Sequence, residues 1–267
     1  MNSYNRRQHR QSNVGLAVVL LLVVVAARNC DKEQPPPTSR VSTPVENPIE
    51  DVLRPGPFAA NRKGVAAAVL IDTSGSMAEK VRDTDGTMQP KIDIAQRAAL
   101  NLVDQFDKYA REHSDQTILL GVYEFSDRGR GPSCRSVINL GPPDAVAARS
   151  AIMQMHPDGD TPIGDALIKA KRDVDATHVS KRHILVITDG ENTKGYRPED
   201  VMRVISRQSD QDRASIYFVA FDVAADKFTS VRDAGGLVLG ASNETDLKQT
   251  LDYLLTGQIL AEQPEHR

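Results

Sequence analysis

The stretch Val65-Ala66-Ala67-Ala68-Val69-Leu70-Ile71-Asp72-Thr73-Ser74-Gly75-Ser76-Met77 decides the fold. Its unbroken apolar run has no polar alternation, which describes a strand buried on both faces, the kind found in parallel sheets covered by helices. The run stops at a carboxylate and passes into Ser, Gly and Ser, so polar groups gather at the carboxyl end of a buried strand. Downstream, Ile92, Ala95, Ala99, Leu102 and Phe106 recur at steps of three and four after Pro90, the mark of an amphipathic helix. Thr117 to Phe125 is again strand-like, and Pro142 to Met155 reads as a helix opened by two prolines. Ile163, Leu167, Ala170 and Val174 define the face of the next helix. His183 to Thr188 and Ser215 to Phe221 are buried strands separated by a helix that starts at Pro198. Leu237 to Leu239 is a short strand, and Asn243 caps a last helix through Leu247, Leu251 and Leu254. Strands alternating with helices predict an α/β domain: a doubly wound, mostly parallel sheet flanked by helices on both faces.

Outside that domain the composition changes. Arg6, Arg7, His9 and Arg10 precede an uncharged apolar run from Val14 to Ala27, followed by Arg28-Asn29-Cys30. A basic segment before a short apolar core is the pattern of an export signal, and the run is shorter than the roughly 20 residues of a full membrane span. Residues 1–30 are therefore expected to be an export signal or N-terminal membrane anchor. Cleavage after Ala27, lipidation at Cys30 as in bacterial lipoproteins, and retention of residues 14–27 as an anchor all stay open, as does a disulfide between Cys30 and Cys134. Residues 31–60 hold seven of the chain's 15 prolines and no sustained apolar period, so a Pro-rich tether is expected there. The folded domain is expected over 61–256, with a flexible polar tail over 257–267. An exported domain at the cell envelope follows.

The 267 residues carry a formal charge of −3, with 40% apolar and 26% charged residues. Residues 1–29 contain four Arg and no acid, so taking four positive charges from −3 leaves −7 for the remainder. An acidic domain argues against nucleic acid and anionic lipid as partners, leaving contact with a membrane to the N-terminal segment alone. Two Cys exclude a disulfide scaffold and a structural zinc site. The chain has no Gly-x-Ser-x-Gly elbow, no His-Glu-x-x-His and no other acid–base constellation, so an enzyme is not expected.

Ligands of open α/β sheets bind where loops leave the carboxyl ends of the strands. Two strand ends carry oxygens, Asp72-Thr-Ser74-Gly-Ser76 and Thr188-Asp189-Gly190, and between them the turn Pro157-Asp-Gly-Asp-Thr161-Pro162 precedes a helix. Asp72 and Asp189 with the hydroxyls of Ser74, Ser76 and Thr161 form an all-oxygen set. Hard oxygen ligands without His or Cys suit one divalent cation, Mg²⁺ foremost, with Mn²⁺ or Ca²⁺ also compatible. Two carboxylates only just neutralise such an ion, and an open coordination position accepts a carboxylate from another molecule.

Asp72-x-Ser74-x-Ser76, Thr161 and Asp189 resemble, one by one, the metal-ion-dependent adhesion site of von Willebrand factor type A domains, a site shared by integrin inserted domains and many bacterial envelope proteins. The resemblance extends over about residues 61–256. It implies a Rossmann-like fold, a non-enzymatic protein-binding role, and a metal bound by these five residues whose coordination is completed by an Asp or Glu of a protein partner. Two other readings accompany it. The Ser/Gly loop is similar to a flavodoxin-type phosphate or cofactor cradle, although Asp72 would repel a phosphate; alternatively, a scaffold domain keeps a vestigial metal site. The charged segment 78–89 reads as a solvated insert bordering the site. Asp158 and Asp160 flank Thr161 as outer residues, His156 reads as a loop residue, and Cys134 reads as part of a polar loop.

Overall fold

The computed structural model describes residues 48–56 and 62–261. Along the chain these form α1 (Pro48–Val52), β1 (Arg62–Asp72), β2 (Lys80–Arg82), β3 (Met88–Pro90), α2 (Lys91–Glu112), β4 (Thr117–Phe125), β5 (Cys134–Gly141), α3 (Ala145–Ile152), α4 (Ile163–Ala176), β6 (Val179–Thr188), α5 (Pro198–Ser206), β7 (Ser215–Phe221), α6 (Thr229–Asp233), β8 (Leu237–Ala241) and α7 (Glu244–Leu254). The main sheet has the order β5-β4-β1-β6-β7-β8. All neighbours pair parallel except β5, which runs antiparallel to β4 at the edge. This is the doubly wound α/β architecture expected from the strand–helix alternation.

The apolar run in β1 works as its lack of alternation implies. Val65, Ala67, Val69 and Ile71 enter the core on the side of α2, α3 and α7, while Ala68 and Leu70 enter the core on the side of α4, α5 and α6. Both faces are dry, so each large side chain here contributes about 1.5–3 kcal/mol by burial. The chain leaves β1 towards β4 and leaves β6 towards β7, on opposite sides. The crevice between the carboxyl ends of β1 and β6 is thus the topological switch point, where α/β sheets bind ligands.

Four regions differ from the sequence reading. Cys134, expected in a polar loop, begins β5 and is buried. This edge strand mixes Arg, Ser and Asn with Val, Ile and Leu, and its half-buried positions give no clean alternation. The charged insert is an antiparallel hairpin of β2 and β3 with Val81 buried. Part of the expected tether is folded: α1 places Ile49 and Leu53 in the core, and Gln208 Nε2 donates to the Leu53 carbonyl over 2.7 Å. Part of the expected tail is folded too, as a single π-helical turn over Leu255–Ile259 with Leu255 and Ile259 buried. In both segments two or three apolar residues find a groove in the domain, a tertiary effect without a local period. The export segment and Cys30 lie outside the described residues. Among the described residues no helix is long and apolar enough to cross a membrane.

Burial pushes the Cys134 thiol up to about 12. A thiol so placed carries almost no thiolate at neutral pH. Cys134 is therefore expected to resist a thiol-specific reagent in the folded protein and to react within seconds once guanidinium unfolds the chain; equal rates in both states would contradict its burial.

Candidate metal centre

The five residues picked out by sequence are brought to one place. Asp72 is the last residue of β1, and the loop after it begins with a 3₁₀ turn over Gly75–Ala78. Ile71 pairs with Ile187, so Asp72 and Thr188 end adjacent strands side by side. The Thr188 hydroxyl donates to Asp72 Oδ2 over 2.6 Å, and the Ser74 amide donates to Asp72 Oδ1 over 2.7 Å. Ser74 precedes the 3₁₀ turn, yet its hydroxyl caps no backbone N–H; it lies 3.2 Å from Ser76 Oγ. Ser76 Oγ in turn donates to Asp189 Oδ1 over 2.7 Å. A Cβ placed on Gly190 would lie 3.9 Å from Ser76 Oγ and 4.0 Å from Thr161 Oγ1, so both hydroxyls border the space that this glycine leaves clear.

Thr161 is held by its backbone. Its amide donates to Thr193 Oγ1 over 2.9 Å, and its carbonyl accepts from the Thr193 amide over 3.0 Å. Pro162 is the N-cap of α4, which has no side-chain cap hydrogen bond. The preceding turn owes its shape to Gly159, at φ 86°, where a Cβ would lie 2.3 Å from the Asp127 carbonyl oxygen. The Gly159 carbonyl accepts from the Gly75 amide over 3.0 Å, fastening this turn to the loop after β1. Asp158 and Asp160 are exposed, as is His156, and none of them joins the oxygen cluster.

Asp72 has no exposed surface. Burial pushes its carboxyl up to about 6, against the hydrogen bonds from Thr188 and Ser74 and with the help of the Asp189 charge. Asp189 is buried as well, and its Oδ2 accepts from Lys91 Nζ over 3.0 Å. The same ammonium lies 3.0 Å from Asp222 Oδ2 and 3.2 Å from Glu79 Oε2. Burial works to lower the pKa of Lys91, and hydrogen bonds to Asp222 and Asp189 overcome it, so the net shift is upward. Sequence reasoning missed Lys91 and Asp222, and placed Thr188 at the strand end without giving it a role. Asp222 follows a buried strand in the same way that Asp189 does, which was an available signal, whereas a lysine opening a helix acquires its meaning only from the carboxylates that converge on it.

Among the described residues no group of three or more His, Cys, Asp or Glu is placed to hold a metal by itself. An ion at this centre would depend on hydroxyls as well as carboxylates. The donor set fits a hard cation: a fully buried carboxylate whose charge no side chain of opposite sign meets, three hydroxyls, and a bare glycine beside them.

A parallel α/β sheet with an oxygen-lined crevice at its switch point defines the class. The chain belongs to the von Willebrand factor type A domain family, whose profile matches residues 68–249. It is 27% identical over 199 residues to the uncharacterized protein YwmD of Bacillus subtilis (strain 168), covering 71% of this chain and 84% of that one. Among solved structures it is similar to a von Willebrand factor type A protein from Catenulispora acidiphila, with a TM-score of 0.54, 21% identity, and coverage of 72% of this chain and 42% of the other. The PilB minor pilin of Streptococcus sanguinis matches at a TM-score of 0.56 and 14% identity, over 79% and 65% of the two chains. Proximal thread matrix protein 1 of the mussel byssus, solved with a zinc-occupied adhesion-site motif, matches at a TM-score of 0.53 and 16% identity, over 74% and 48%. This chain thus spans less than two thirds of these solved chains, and at such identities the likeness is one of fold.

Proposed function

We propose that the protein is a non-enzymatic, metal-dependent protein-binding module acting at the cell envelope. The observation that carries this reading is the continuous chain of oxygens from Ser74 through Ser76 to Asp189, with buried Asp72 behind it, at the switch point of the sheet. Asp72, Ser74, Ser76, Thr161 and Asp189 hold one divalent cation, Mg²⁺ foremost. When bound, the ion supplies a Lewis-acidic position for a carboxylate. The partner is a protein that presents an Asp or Glu there. The zinc-occupied motif of the mussel protein supports a metal in this fold, and the pilin supports a role outside the cytoplasm. Residues 1–30 export the chain or anchor it, and the Pro-rich stretch after them tethers the domain.

Immobilised protein incubated with envelope extract in Mg²⁺ is expected to retain partner proteins that EDTA releases and that readded Mg²⁺ recaptures. Capture that survives both EDTA and the loss of Asp72 would overturn the adhesion mechanism.

A further inference from the structure

Two residues beside the centre break a local rule, and they meet each other. Lys91 is the first residue of α2, a 22-residue helix, and so puts a cation at the positive end of the helix dipole. Asp222, at the end of β7, holds φ 53°, a left-handed conformation that residues with a Cβ seldom adopt. The Lys91 side chain is only 5% exposed, and its ammonium bridges Asp189, Asp222 and Glu79 from three different segments. The two oxygens of Asp189 are divided between opposite sides. Oδ1 accepts from Ser76, within the proposed metal centre, and Oδ2 accepts from an ammonium that is covalently tethered.

We propose that Lys91 is a positioning residue and built-in counter-ion that shares Asp189 with the bound metal, and thereby holds divalent-ion affinity below what the same oxygens would reach without it. The inference rests on the metal reading of Asp72, Ser74, Ser76, Thr161 and Asp189. Losing Lys91 has two consequences of opposite sign. Asp189 loses one of its orienting contacts, which weakens binding; a fixed positive charge one carboxylate away from a divalent ion disappears, which tightens it. Charge wins, because repulsion over so short a separation in a buried site is several times the thermal energy, while Ser76 and the end of β6 still orient Asp189. Asp222 and Glu79 compensate Lys91 incompletely, since their side chains are 37% and 70% exposed and screened by water. Asp72 and Asp189 against Lys91 leave one net negative charge; a divalent ion turns that into one net positive charge. The ion stays exchangeable and stays attractive to a partner's carboxylate.

Calorimetric titration of the full chain with Mn²⁺, together with thermal melts in EDTA, tests this. Lys91→Met is expected to bind Mn²⁺ at least about tenfold more tightly than wild type. In EDTA it should melt lower by roughly 10 °C, because Asp189 is left buried without its partner, and saturating Mn²⁺ should narrow that gap. Asp222→Asn removes a competitor for Lys91 and is expected to bind Mn²⁺ several-fold more weakly. A purely structural lysine predicts no such opposition of signs: Lys91→Met with equal or weaker affinity overturns the role of Lys91 alone. Should Lys91→Met fail to fold even in Mn²⁺, Asp222→Asn decides, and unchanged or tighter binding by that variant overturns the proposal. Wild type that takes up no Mn²⁺ removes the metal centre itself and this inference with it.

Discussion

Asp72→Asn is expected to abolish divalent-ion binding while leaving the domain folded. Both oxygens of Asp72 are engaged inside the protein, one by the Ser74 amide and one by the Thr188 hydroxyl, and the residue has no exposed surface. An asparagine keeps a carbonyl oxygen for the Ser74 amide and offers an amide N–H to the Thr188 oxygen, whose hydroxyl rotates to suit. What it removes is the charge, leaving Asp189 as the one carboxylate among the five proposed ligands. Affinity for hard cations follows the number of charged oxygens, so a loss of at least about 100-fold in Mn²⁺ affinity is expected by calorimetry. Asp72→Ala makes a useful contrast. It strands the buried Ser74 amide at a cost of about 1–3 kcal/mol and leaves the Thr188 hydroxyl only its contacts with Gly190, so it should lose stability as well as ion binding. Near-wild-type Mn²⁺ affinity in a folded Asp72→Asn protein would overturn the assignment of the centre.

The parts of this molecule that could be read from sequence are those in which one segment carries its own signal. The seven apolar residues before Asp72 specify a doubly buried strand by themselves, and the faces of α2 and α4 repeat at helical spacing over several turns. The oxygen site was equally visible, because two strand ends and the turn before α4 each carry a carboxylate or hydroxyl next to a glycine or proline. Lys91 was not, since its role depends on Asp189, Asp222 and Glu79, which lie 98, 131 and 12 positions away in the chain and converge only when the sheet is assembled. The hairpin of residues 80–90 was hidden for a similar reason. Its charged positions look solvated, yet Thr245 donates to Asp83 over 3.3 Å and Gln89 to Glu244 over 3.2 Å, docking the hairpin on the start of α7. Ile49 and Leu53 likewise look like isolated apolar residues among prolines until the groove beside α5 receives them.

Without metal, Asp72 is expected to destabilise the domain increasingly as pH rises from about 4 to 7. Burial raises its carboxyl from 3.8 to about 6, so the folded state holds the proton more tightly than the unfolded chain. A raised carboxyl contributes its full relative stability below 3.8 and loses it as pH climbs through 6; two units correspond to about 3 kcal/mol. His183 acts in the reverse sense. Burial lowers its imidazole from 6.5 to about 4, so its contribution is complete above 6.5 and fades as pH falls towards 4. The two windows overlap with opposite slopes, and the pH profile of the ion-free wild type is consequently flatter than either group alone would give. Asp72→Asn isolates one of them. Urea unfolding in EDTA should show wild type losing about 3 kcal/mol relative to Asp72→Asn between pH 4 and pH 7. Mn²⁺ at about 1,000 times its dissociation constant should reverse the ranking at pH 7, since it returns about 4.1 kcal/mol to the protein that binds it. Below pH 6 the proton competes with the metal for the same carboxylate, and Mn²⁺ affinity should fall by about tenfold per pH unit. A difference between wild type and Asp72→Asn that stays constant from pH 4 to 7 in EDTA would show that Asp72 is no desolvated carboxylate, and would take away the unmet buried charge on which the fit of a cation rests.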